Sequence, residues 1–182
     1  MIIFSGVAGS GKSVQGKMLA DMLELPWLST GEFLRMIIAG EPRRRMIEGK
    51  LLDDQEIIAV TEKIFSLIDV RKEFVLDGFP RSLTQAHWLL EFSEQQQSKI
   101  SVVYHLVADE ATVRDRLLAR GRKDDHAEAI TARFHEYDQT IKPILELFES
   151  RNIPVKDINA NQSVDQVHQA IMEAAKAAIP LK

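Results

Sequence analysis

The octapeptide Gly6-Val7-Ala8-Gly9-Ser10-Gly11-Lys12-Ser13 stands directly behind the apolar run Met1 to Phe4 and ahead of a helix-forming stretch. That placement constrains the chain more than any other feature, because G-x-x-x-x-G-K-[ST] between a strand and a helix is the phosphate-binding P-loop. Its glycines let backbone N–H groups curl around a phosphate at a helix N-terminus, where unpaired donors and the helix dipole both favour an anion. Lys12 adds a point charge for the β- and γ-phosphates, and Ser13 offers a hydroxyl to Mg²⁺. A glycine-rich turn that merely opens a helix with a lysine is the weaker reading once the strand and helix flanks are counted.

A P-loop of this kind sits on a parallel sheet, and the rest of the chain supplies one. Short β-rich runs, Ile2-Ile3-Phe4, Phe74-Val75-Leu76, Val102 to Val107 and Ile153 to Ile158, alternate with longer helix-like segments. The expected fold is α/β, the three-layer P-loop NTPase type, with a parallel sheet flanked by helices on both faces. The last helix has Ser163 as its N-cap and an apolar stripe of Val164, Val167, Ile171, Ala175 and Ala178. Some forty residues before Phe74 are broken at Gly31, Gly40, Pro42 and Gly49 and exceed what one crossover needs, which predicts a small helical insertion. A helical stretch from about Asp124 to Glu149 carries an interior Pro143, which is expected to kink it or end its first half.

Length and composition bound the rest. A chain of 182 residues that is 45% hydrophobic is globular and is expected to form one domain, 1–182. With 23 Lys+Arg against 27 Asp+Glu the formal charge is −4, which argues against sequence-independent binding of nucleic acid and leaves room for a small anionic ligand. The absence of cysteine excludes disulfides, thiol nucleophiles and cysteine-ligated zinc, and the five histidines lack metal-ligand spacing. No zinc is expected; a metal would be held by oxygen. No stretch approaches a membrane span, and the first apolar run has no charged segment before it, so a cytoplasmic protein without membrane partners is expected.

Two further blocks carry chemistry. Phe74-Val75-Leu76-Asp77 is a buried strand that ends in a carboxylate, at the end of the sheet where open α/β folds bind ligands. Asp77 is therefore a candidate Mg²⁺ residue, directly or through water, against the alternative of an Asp that begins a turn. The arginines Arg35, Arg81, Arg116, Arg120, Arg122 and Arg133 suit phosphoryl transfer, since planar guanidinium groups clamp phosphates and stay charged. Arg43-Arg44-Arg45 reads as an exposed helix face.

Taken together, these pieces resemble the adenylate kinase (nucleoside monophosphate kinase) family over essentially the whole chain. The P-loop, Ser29-Thr30-Gly31-Glu32-Phe33-Leu34-Arg35, Gly49-Lys50-Leu51, Asp77-Gly78-Phe79-Pro80-Arg81 with Gln85, and Arg122-Lys123-Asp124-Asp125 with Arg133 occur in family order. The resemblance implies transfer of the terminal phosphoryl group of Mg-ATP to AMP, giving two ADP, by a monomer. It implies an ATP site of Gly9, Ser10, Gly11, Lys12, Ser13 and Val14, with Arg116 beside adenine, Arg120 near phosphate and the backbone near Gln162 at the base. The implied AMP site is Thr30, Arg35, Lys50, Leu51, Leu52, Gly78, Phe79, Pro80, Arg81 and Gln85. Arg122 and Arg133 would reach the transferred group, with Lys12, Arg81 and Arg120 as the other catalytic cations. An NMP-binding insertion over 30–52 and a minimal lid over 120–125 complete the implied organisation.

The chain departs from the family pattern in its P-loop, where Ala8 replaces a Pro and Ser13-Val14 replaces Gly-Thr, and in its lid, where only Gly121 separates Arg120 from Arg122. Three rival functions fit parts of the sequence: a kinase of another monophosphate or small metabolite, a P-loop NTPase, and a nucleotide-binding module without transfer activity.

Overall fold

The computed structural model describes residues 1–40, 52–122 and 125–178. The predicted residues Arg43, Arg44, Arg45, Lys50, Leu51, Lys123 and Asp124 lie outside the described residues, as does much of the expected 30–52 insertion.

In chain order the elements are β1 (Ile2–Gly6), α1 (Lys12–Leu23), β2 (Trp27–Ser29), α2 (Thr30–Ile37), α3 (Asp54–Phe65), β3 (Val75–Asp77), α4 (Leu83–Gln95), β4 (Val102–Val107), α5 (Glu110–Arg120), α6 (Ala127–Ser150), β5 (Val155–Asn159) and α7 (Val164–Ala178). The strands pair in parallel in the order β2-β3-β1-β4-β5. β1 lies centrally, its Ile2 opposite both Val75 and Val102. The chain builds outwards from it on one side through β3 and β2 and on the other through β4 and β5. Such a reversal of strand order opens a crevice at the carboxyl ends of the strands, where the P-loop begins.

Alternation within the strands explains the layers. Ile3, Leu76 and Val103 pack on one face with Phe65 of α3, Leu89 of α4 and Phe148 of α6. Ile2, Phe4, Val75 and Tyr104 pack on the other with Leu19 of α1 and Ile171 of α7. Central strands apolar on both faces require helices on both faces, so the predicted three-layer α/β fold is observed. A smaller cluster, Val7 with Val113, Leu117 and Ile130, seats the P-loop on α5 and α6.

Four details differ from the sequence reading. A fifth strand, β2, follows Pro26 and is only three residues long, too short for any periodicity to appear. The last strand begins at Val155 rather than Ile153. Helix α6 continues past Pro143 rather than ending there, because a proline removes one backbone donor while Ile144 and Phe148 hold the following turns in the core. Val164 is 49% exposed and faces a cavity rather than the core, whereas Val167, Ile171 and Ala175 are buried as expected. Ser163 caps α7, its hydroxyl accepting from the Gln166 N–H at 3.3 Å.

Candidate active site

A cavity of about 450 Å³ opens where the strands end, and its lining gathers most of the predicted residues. From the P-loop and the start of α1 come Gly9, Ser10, Gly11, Lys12, Ser13 and Val14. Gly11 is the N-cap of α1 with a left-handed φ of 102°, a conformation that disfavours a side chain; a Cβ there would meet nothing closer than 4.0 Å, so the loop is open towards ligand. Without a side chain to satisfy them, the first N–H groups of α1 remain for an anion.

Lys12 is 8% exposed, and its ammonium donates to the Val7 carbonyl at 2.8 Å. Burial pulls its pKa down from 10.5 to about 8, Asp77 pulls it back up, and Arg81 and Arg120 push it lower. A cation so far from water and so close to other cations is matched to polyphosphate rather than to the fold.

Asp77, at the end of β3, is 2% exposed. Its Oδ2 accepts from Ser13 Oγ at 2.6 Å and from Ser29 Oγ at 3.1 Å, and its carbonyl accepts from Thr30 Oγ1 at 3.3 Å. Oδ1 is buried without a hydrogen-bond partner. A buried carboxylate oxygen with its lone pairs unused, beside a serine hydroxyl, is the kind of oxygen donor set a hard cation takes, so these residues fit Mg²⁺.

On the β2–β3 side the cavity is lined by Thr30, Arg35, Leu52, Gly78, Arg81 and Gln85. Gly78 has φ 80°, and a Cβ there would stand 3.0 Å from Arg81 Nη2. Its carbonyl accepts from Arg81 Nε at 2.8 Å, which holds the guanidinium against the strand end, where burial lowers its pKa. Phe79 is different: it is 1% exposed, packs edge-on against Trp88 at 5.7 Å and does not line this cavity. Pro80 lines a smaller adjoining cavity with Arg81, Arg133 and Glu136. Burial raises the carboxyl pKa of Glu136 against the pull of those two arginines.

The remaining predicted arginines, with Gln162, cover the other side. Arg116 donates to the carbonyls of Gln162 at 2.9 Å and Ser10 at 3.5 Å, tying the P-loop to the loop before α7. Arg120 grips Asp125 through two hydrogen bonds, 2.8 and 2.6 Å, and the Arg122 N–H donates to the same carboxylate at 3.2 Å. Arg133 Nη1 lies 3.7 Å from Asp125 Oδ1. Burial would raise the Asp125 carboxyl, but these donors hold it below its ordinary pKa. Asp125, with a side chain 0% exposed, thus organises three arginines. Sequence alone assigns it no role, because Asp124 beside it and Glu128 after it stand equally close to these arginines in the chain. Also unassigned from sequence were Leu34 and Ile57, which line the β2–β3 side, and Gln15 and Val167, which line the opposite side.

A parallel sheet with a P-loop behind its central strand, a buried lysine at the helix start and a strand-end aspartate define a P-loop nucleoside triphosphate-binding protein. The comparisons narrow this. The family model for adenylate kinase matches residues 4–153. Adenylate kinase 1 of Nostoc sp. is 33% identical over 172 residues, covering 91% of this chain and 93% of the relative. The adenylate kinases of Prochlorococcus marinus (strain MIT 9211) and Thermobifida fusca are 35% and 33% identical, covering 85% and 97% of this chain and 86% and 98% of theirs. The chain belongs to the adenylate kinase family, phosphotransferases that interconvert ATP plus AMP and two ADP.

Proposed function

We propose that phosphoryl transfer takes place within this one cavity, in a single in-line step. The observation that carries the assignment is that the P-loop and the Thr30–Gln85 side face each other across it, with Arg122 and Arg133 also in the lining. ATP is held by Gly9 to Val14, Arg116, Arg120 and the backbone at Gln162. AMP is held by Thr30, Arg35, Leu52, Gly78, Arg81 and Gln85, with the backbone of Phe79 and Pro80 shaping the turn. Lys50 and Leu51 belong to the same site by family resemblance. Segments 30–52 and 120–125 act as the NMP-binding insertion and the minimal lid of a cytoplasmic monomer.

Two phosphates held end to end react without a covalent enzyme intermediate and without a general base, since the attacking phosphate oxygen already bears charge. Lys12 and the arginines neutralise charge as it spreads over the transferring group. Ser13 and Asp77 would hold Mg²⁺ on the ATP side, and that ion when bound supplies further charge neutralisation at the phosphates. Ser13→Ala and Asp77→Asn are each expected to raise the Mg²⁺ concentration for half-maximal rate. An effect of Asp77→Asn alone would make Ser13 only the aspartate's hydrogen-bond donor.

Rates with AMP, CMP and UMP test the acceptor site. AMP is expected to exceed both pyrimidines in kcat/KM by about 10- to 1,000-fold, since a smaller pyrimidine does not reach the remaining donor and acceptor of the Gln85 amide. A preference for CMP or UMP would overturn the acceptor assignment.

A further inference from the structure

Gln85 lines the cavity but is only 2% exposed, and both ends of its amide are already engaged. Oε1 accepts from the Arg81 backbone N–H at 2.8 Å, and Nε2 donates to Asp54 Oδ1 at 2.7 Å. Neither partner tolerates the amide turned over, because a backbone N–H only donates and a carboxylate only accepts. Asp54 is itself held: Ser82 Oγ donates to the same oxygen at 2.8 Å. The capping of α3 falls to its neighbour, Asp53, whose side chain accepts from the Gln55 N–H at 2.9 Å. Asp54 is thus free of that duty and reaches 31 residues along the chain to Gln85.

We propose that Asp54 is a positioning residue for acceptor specificity: by fixing which way round the Gln85 amide lies, it selects a 6-aminopurine monophosphate over a 6-oxopurine one. The inference rests on the reading of Gln85 as part of the acceptor-base site. The amide nitrogen has a second hydrogen and the carbonyl a second lone pair, so one donor and one acceptor remain, in a fixed spatial order. Adenine presents an acceptor at N1 and a donor at its 6-amino group, whereas hypoxanthine presents a donor at N1 and an acceptor at O6. An amide that suits one edge suits the other only when flipped. In this protein the flip would set oxygen against the Asp54 carboxylate and N–H against the Arg81 N–H, so neither hydrogen bond could form.

The test is kcat and KM for AMP and for IMP at saturating Mg-ATP, in the wild type and in Asp54→Asn. An asparagine can offer its amino group to a flipped Gln85 carbonyl, so the lock loosens while the side-chain volume is kept. KM for AMP is expected to rise about 5- to 20-fold with kcat within about threefold, and the AMP/IMP ratio of kcat/KM to fall at least about tenfold. Ser82→Ala removes both the hydroxyl that caps α4 and one of the two donors that hold Asp54, and should lower Tm and also lower that ratio, by less than Asp54→Asn does. A folded Asp54→Asn with the wild-type ratio, or one that loses kcat while KM and the ratio hold, overturns the proposal. Should Asp54→Asn fail to fold, Asp54→Ser carries the same expectation, and loss of fold in both marks Asp54 as structural and also overturns it. A wild type that phosphorylates neither acceptor refutes the acceptor-site reading itself, and the proposal with it.

Discussion

Lys12→Met lowers kcat for phosphoryl transfer by about 10²- to 10³-fold or more, while Tm holds or rises. The two halves of this expectation have one cause. The Lys12 ammonium is buried, and the folded protein favours its neutral form strongly enough to bring the pKa to about 8. At neutral pH the charge is therefore carried at a cost to the fold, which methionine, of similar length and without charge, removes. What is lost is the point charge aimed at the phosphates, together with one hydrogen bond to the Val7 carbonyl. Steady-state rates and a thermal melt of the same preparation check both halves. Unchanged turnover would refute the role of the P-loop lysine, and a large drop in Tm would make Lys12 structural.

Arg133→Ala is expected to cost about 10³-fold or more in kcat, the scale of an arginine placed on a transferring phosphoryl group. Arg133 projects from α6 into the cavity, 16% exposed, beside the Asp125 carboxylate that also holds Arg120 and the Arg122 backbone. Shared anchoring pre-sets the guanidinium groups before substrate arrives, so little reorganisation is left for the reaction step. Arg133→Lys should recover only part of the rate, because an ammonium is a point charge without the planar fork. A loss below about tenfold in Arg133→Ala, ~1.4 kcal/mol, would remove Arg133 from the transition state.

The parts of this protein that read directly from sequence are those whose chemistry is local. Gly6 to Ser13 fold into their loop through their own glycines, and Asp77 ends a strand whose apolar run announces it. The layered fold is legible because buried parallel strands are apolar on both faces. Four features were hidden for one physical reason, that distant segments decide them. β2 exists only because Trp27, Leu28 and Ser29 find Val75, Leu76 and Asp77 alongside. The Pro143 helix continues because the core holds the turns beyond it, which no local rule for proline contains. Asp125 gains its role when α5 and α6 meet, and Asp54 gains its own only against Gln85 and Ser82. Hydrogen-bond partners chosen by tertiary contact leave no spacing to read.

The most direct test of phosphoryl transfer between two nucleotides in one cavity is the product balance, followed by phosphorus NMR on wild type and Lys12→Met with equimolar ATP, AMP and Mg²⁺. The account predicts that ATP and AMP disappear together in the wild type, with two ADP formed for each AMP consumed and no matching growth of inorganic phosphate, and that Lys12→Met slows the same exchange by about 10²-fold or more. Consumption of ATP with AMP left intact and inorganic phosphate accumulating would contradict it.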